Sequence, residues 1–207
     1  KKMIFFNEHI DRLFSNNNFF NFKKITKNKI HDIAIQTINK NNLSNGLIKI
    51  IIVPMGEDFN DVEYYIFIRE LPEINTNLAR VKFYSESNYP IFRFKPAFKS
   101  LCYMGNMLAI KDAKNEGVFE PIFYNENNII TEGAIRNVFF IKNTTIYTPN
   151  LNLGILDGVT RTKILELGKI LNYKISESII NYNDINKMDE AFITSTAIGV
   201  LPCYWDG

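Results

Sequence analysis

Hydrophobic spacing divides the chain into a helical opening, a run of strands, and a longer half in which helices and strands alternate. Met3–Phe6 is a short apolar run that reads as a strand. Asn7 then caps a helix with Glu8 in its first turn and Ile10, Leu13 and Phe14 on one face. Ile30, Ile33, Ala34 and Ile38 recur at helical spacing and predict a second helix over Asn28–Asn39. Leu47–Val53, Val62–Ile68 and Val81–Ser85 are rich in β-branched and aromatic residues and predict three strands. Asn88, Tyr89 and Pro90 break the pattern, which places a linker there and divides the chain into domains of residues 1–87 and 88–207. Beyond it the pattern predicts a helix over Tyr103–Glu116 ended by Gly117, and strands on either side of the turn Asn125–Asn128. A hairpin of Asn137–Lys142 with Thr145–Thr148, a helix over Val159–Leu171, a partly extended Tyr173–Ile180 and a strand at Ala191–Ser195 complete the reading. Helices mixed with strands give an α/β to α+β class.

Composition narrows the function classes more than it names one. The 207 residues suffice for one large or two small domains, and 46% apolar residues are ample for buried cores. A net charge of +2 points away from nucleic acid and membrane surfaces as partners. Cys102 and Cys203 make no disulfide framework, so a reducing, cytoplasmic setting is expected. No apolar run approaches the roughly 18 residues of a membrane span, and no signal peptide is legible. The run Asn16–Asn18 reads as a polar connector. There is no metal-ligand cluster, no Gly-rich nucleotide loop and no nucleophile elbow. His31 sits in a helical run, and His9 reads as structural support for Arg12.

The chemistry-bearing residues fall in a particular order. Lys99 opens KSLCYMGN, Glu132 opens EGAIRN, the turn GILDGVTR runs from Gly154 to Arg161 into a helix, and Ser195 and Thr196 close AFITST. A lysine that can form an imine, an acid for a ring nitrogen and backbone amides for a phosphate are what pyridoxal phosphate requires. With FNEHIDRL at Phe6–Leu13, these motifs resemble the fold-type IV pyridoxal-phosphate enzymes, the class IV aminotransferase family. That family includes D-amino-acid and branched-chain aminotransferases and aminodeoxychorismate lyase.

The resemblance implies a two-domain fold with a small N-terminal α+β domain and a larger C-terminal mixed-sheet domain. It also implies a further strand region before Lys1, a tail after Gly207, and a homodimer. It implies that Lys99 forms the Schiff base with pyridoxal 5′-phosphate and then moves the substrate proton. Lys95 is its rival, in a context that fits less well. Glu132 would keep the pyridine nitrogen protonated. Val159, Thr160, Ser195 and Thr196 would hold the phosphate by amides and hydroxyls, with Arg12 as its fixed positive charge. Arg12 has the alternative of a surface pair with Glu8. Leu156 would lie against the ring or belong to the core, and Asn137 would order its segment. D-amino-acid aminotransferases use an Arg and a His after a central strand to trap the substrate carboxylate, and Ile48–Phe59 contains neither. Arg69, Arg93 and Arg136 are the candidate replacements, Arg136 foremost, with a solvated hairpin charge as its alternative. The implied activity is amino-group transfer between an amino acid and a 2-oxo acid. Its alternatives are an aminodeoxychorismate lyase releasing 4-aminobenzoate and pyruvate, and a non-catalytic paralogue.

Overall fold

The computed structural model describes residues 2–15, 25–41, 45–57 and 61–206, so the Asn16–Asn18 run lies outside the described residues. The chain forms two compact units, residues 1–73 and 74–207.

In the first unit, helix α1 is Phe6–Phe14 and helix α2 is Lys27–Lys40. The strand expected at Met3–Phe6 is not formed. Phe6 continues the helical spacing of Ile10 and Leu13, and it packs edge-on against His31 at 5.3 Å between ring centroids. The cap of α1 is Phe5, with φ 52° and no side-chain bond, rather than Asn7. Thr26 caps α2 by accepting the Lys29 N–H at 3.2 Å. Strands β1 (Leu47–Met55) and β2 (Asp61–Arg69) pair antiparallel from Leu47↔Arg69 to Met55↔Asp61. Ile10, Ile25 and Ile30 form the core, with Ile50, Ile52, Val62, Tyr64 and Ile66 packed against them. The alternation of β2 turns Tyr65 and Phe67 to the other face, where their rings stack.

The second unit is built on an eight-stranded mixed sheet. Its strands are β3 (Ala79–Ser85), β4 (Glu120–Tyr124), β5 (Ile130–Gly133), β6 (Asn137–Lys142), β7 (Thr145–Pro149), β8 (Lys174–Ser178), β9 (Glu190–Ser195) and β10 (Gly199–Trp205). Their order is β5-β4-β3-β10-β9-β6-β7-β8. Because β3 pairs with both β4 and β10, it belongs to this sheet, and the break falls at residues 73/74 rather than near Pro90. Helices α3 (Met104–Asn115) and α4 (Val159–Ile170) complete the unit close to their expected limits. Strand β10, beyond the elements expected from the spacing, carries Pro202, a residue that central strands disfavour. The register accommodates it: β10 meets β9 over Gly199–Cys203 but meets β3 only from Cys203 onward.

Candidate functional site

Glu132 stands near the end of β5, and the next residue must be small. A Cβ at Gly133 would lie 2.6 Å from Glu120 Oε1 and 2.8 Å from the Arg136 carbonyl oxygen. The Glu132 carboxylate forms an ion pair with the Arg93 guanidinium. It accepts the Leu156 backbone N–H at 3.2 and 3.3 Å and the Asn137 side-chain amide at 3.3 Å. Burial pushes its pKa up, against the pull of Arg93, the Leu156 N–H and Lys99. Lys99 therefore lies within electrostatic reach of Glu132, on the loop that leads into α3, with its side chain exposed.

Asn137 joins the remaining pieces. Its side-chain amide also donates to the Leu156 carbonyl at 2.9 Å. Its Oδ1 would be 2.1 Å from a Cβ at Gly158, so only glycine lets the turn before α4 pass this close. Its register partner on β9 is Thr194, next to Ser195 and Thr196. Glu132, Leu156, the Gly158–Thr160 turn and the Ser195–Thr196 corner thus share one end of the sheet. Gly158 caps α4 without a side chain, so the first amides of a 12-residue helix have no intrahelical or cap partner. Val159 is buried and Thr160 half-buried. Arg161 anchors this turn from beneath: it is 1% exposed and donates to the Pro149 carbonyl at 3.1 Å and to Glu177 at 2.6 Å. Ser195 Oγ is buried and has no hydrogen-bond partner among the described residues.

The sequence pattern that defines amino-transferase class IV matches residues 1–204 of this chain. The chain belongs to the class IV aminotransferase family. It is 38% identical over 104 residues to the aminodeoxychorismate lyase of Bacillus subtilis, a match covering 50% of this chain and 36% of that protein. It is 26% identical over 207 residues to the branched-chain-amino-acid aminotransferase of Pseudomonas aeruginosa, covering 94% of this chain and 67% of that protein. The solved branched-chain amino acid aminotransferase of Escherichia coli superposes with a TM-score of 0.81 at 25% identity, over 97% of this chain and 70% of that one. The fold is the fold-type IV architecture expected from the motifs.

Class IV aminotransferases in general use pyridoxal phosphate, and the residues assembled here fit it. Uncapped amides at α4, the Thr160 hydroxyl and the orphaned Ser195 Oγ suit a phosphate, and a buried carboxylate held by three donors suits a ring nitrogen. Arg12 lies on α1 of the first unit, its guanidinium 3.4 Å from His9 Nδ1, as expected of a supporting histidine. The structure commits Arg136 elsewhere. Its guanidinium forms an ion pair with Glu120 and lies 4.7 Å over the Phe119 ring, so it is neither a solvated charge nor a free carboxylate ligand. Arg93 pairs with Glu86 and Glu132, Arg80 with Asp206, and Arg161 with Glu177, so every arginine of the second unit already holds a carboxylate. Arg69 lies exposed at the end of β2. Sequence reasoning missed Arg93 as the partner of Glu132, and Glu120 altogether. An acid inside the apolar stretch VFEPIFY, at Glu120, was the available signal, since a buried carboxylate requires a partner.

Proposed function

We propose that this chain forms the core of a cytoplasmic, homodimeric, pyridoxal-phosphate-dependent aminotransferase that moves an amino group between an amino acid and a 2-oxo acid. The observation that carries this reading is the junction at Asn137, which ties Glu132 to the turn at Leu156–Gly158 and to the end of β9. When bound, the cofactor supplies an aldehyde for an amine and a ring that withdraws electrons from the substrate α-carbon. Lys99 would be the amine that holds that aldehyde and would carry the proton of the substrate α-carbon. Its attack on the aldehyde requires the neutral amine. Glu132 would keep a proton on the ring nitrogen, and Arg93 and the Leu156 N–H hold its carboxyl group in place. Val159, Thr160, Ser195 and Thr196 would hold the phosphate through amides and hydroxyls, and Leu156 would lie against the ring.

Three measurements test this. Borohydride reduction of the reconstituted protein and peptide mapping should label Lys99, and a label on Lys95 would overturn the assignment. Addition of an amino donor alone should discharge the cofactor's visible absorption once, and a 2-oxo acid should restore it. Light scattering should give a dimer, and full activity from a stable monomer would refute that element.

The 38% identity to an aminodeoxychorismate lyase supports a second reading, a lyase. It is distinguished by pyruvate release from aminodeoxychorismate with no 2-oxo acid present.

A further inference from the structure

The short turn between Glu132 and Asn137 carries both of these residues, and a carboxylate outside the site ties it down. Glu120, the first residue of β4, is 0% exposed. Its Oε1 accepts the backbone N–H groups of Ile135 at 2.7 Å and Arg136 at 3.1 Å, and its Oε2 takes the Arg136 guanidinium. The turn is closed by the Gly133 N–H donating to the Arg136 carbonyl at 2.7 Å, and the Ala134 N–H donates to the Pro121 carbonyl at 3.0 Å. From the opposite side the Tyr103 hydroxyl and the Asn106 amide both donate to the Ala134 carbonyl. Tyr103 and Asn106 follow Lys99 in the chain, at the start of α3. One turn is therefore gripped by Glu120 within the sheet and by the segment that carries the lysine.

We infer that Glu120 is a positioning residue: by fixing the 133–136 turn, it sets where Glu132 and Asn137 stand relative to the Lys99 segment. This rests on the pyridoxal-phosphate reading above. Among the described residues, the hydrogen bonds and the ion pair of Glu120 go to Ile135 and Arg136, so its effect passes through the turn. That set of partners ties Glu120 to the placement of this turn rather than to general packing. Loss of alignment by about 1 Å at a reacting centre costs on the order of 100-fold in rate.

Glu120→Gln keeps an acceptor for the two N–H groups and removes the charge facing Arg136. Tyr103→Phe releases the same turn from the other side while leaving Glu120 intact. Both would be compared with wild type as reconstituted holoenzyme, with folding checked by urea unfolding. For Glu120→Gln we expect kcat to fall about 10–100-fold with KM for the amino donor little changed. The pH midpoint of the bound cofactor's visible absorption should move as well, because the ring nitrogen loses its aligned acid. Tyr103→Phe should shift the same midpoint in the same direction with a smaller loss of kcat. A merely structural Glu120 would lower the urea midpoint and leave kcat per folded molecule and the spectral midpoint unchanged, and that result overturns the inference. Should Glu120→Gln not fold, wild-type kcat and spectral midpoint in Tyr103→Phe overturn it instead. A wild-type protein that binds no cofactor would refute the functional reading, whereas a working wild type with silent variants refutes only this inference.

Discussion

Glu120 and Glu132 stand on neighbouring strands of one hairpin, each is paired with an arginine, and burial pushes both pKa values up. They are nonetheless built differently. Among the described residues, the donors to Glu120 come from residues 135 and 136 of a single turn, and its side chain is 1% exposed. Glu132 takes donors from Arg93, Asn137 and Leu156, three separate stretches of chain, and its side chain remains 14% exposed. A carboxylate whose donors are all local is a fastener for that loop. A carboxylate on which distant segments converge, with one side still open, is a place where a ligand group can be met. The two acids therefore separate a closed region of the sheet from an open one.

The largest test of this contrast removes the cation shared by the open side. Arg93→Ala leaves both Glu86 and Glu132 without their ion-pair partner in a site where Arg93 is 16% exposed. Stripping one member from a buried pair costs about 3–5 kcal/mol, and urea unfolding of the cofactor-free protein should show a loss of that order. A loss under about 1 kcal/mol, the usual value of an exposed pair, would mean that Arg93 does not hold Glu132 and that no converging donors mark the open side.

Glu132→Gln tests the chemistry of the open side. Gln is nearly isosteric but cannot supply the counter-charge for a protonated ring nitrogen, so the reconstituted variant should stay folded, coloured and nearly inactive. The expected loss is about 3–4 kcal/mol of barrier, two to three decades in turnover. Wild-type turnover would reduce Glu132 to a turn acid. The same pair of proteins gives a pH test without cofactor. Because the folded pKa of Glu132 is raised, the folded state holds its proton longer than the unfolded chain does. The stability of wild type relative to Glu132→Gln should thus fall as pH rises above the ordinary carboxylate value of about 4.3, and level off above the raised value. A relative stability that rises over that window would mean that Arg93 and the Leu156 N–H outweigh burial.

Gly158→Ala is a smaller perturbation at the junction itself. The new Cβ meets Asn137 Oδ1 at 2.1 Å, and Asn137 cannot swing away without breaking its bonds to Leu156 and Glu132. Overpacking of this kind costs about 1–3 kcal/mol. Cofactor retention on dialysis should drop with it, because the displaced turn carries the α4 amides. Unchanged stability and retention would show that Asn137 is not the joint between these segments.

Periodicity made the helices α2, α3 and α4 and the alternating strand β2 legible, and β-branched and aromatic content marked strands such as β6 that are buried at consecutive positions. It failed where a local signal misled. Met3–Phe6 is apolar enough for a strand, yet Phe6 serves the helix, and β10 lay beyond the expected elements, its Pro202 tolerated where only one neighbour is paired. The residues to which the proposed function assigns chemistry, Lys99, Glu132 and the turn into α4, stand out in the sequence by motif order. Their supports do not. Arg93 reaches Glu132 across 39 positions and Glu120 reaches Arg136 across 16, and such pairings follow from sheet register, which the spacing of apolar residues does not encode.

The two cysteines provide the mildest test, one on each side of the contrast. Cys102 is exposed, three residues beyond Lys99 on the open side. Cys203 is buried at 5% exposure in β10, and burial, followed by the negative field of Glu120, pushes its thiol up to about 12. The thiolate is the reactive form, so at pH 8 the folded protein should take up one equivalent of an alkylating reagent at Cys102. Cys203 should react only after unfolding. Raising the pH from 7 to 9 should not open Cys203 while the fold holds, because the whole interval lies below its pKa. Peptide mapping of the alkylated protein reads both sites at once. Rapid labelling of Cys203 in the folded state would mean that solvent reaches the Glu120 side of the sheet, and the closed region would then be no more closed than the open one.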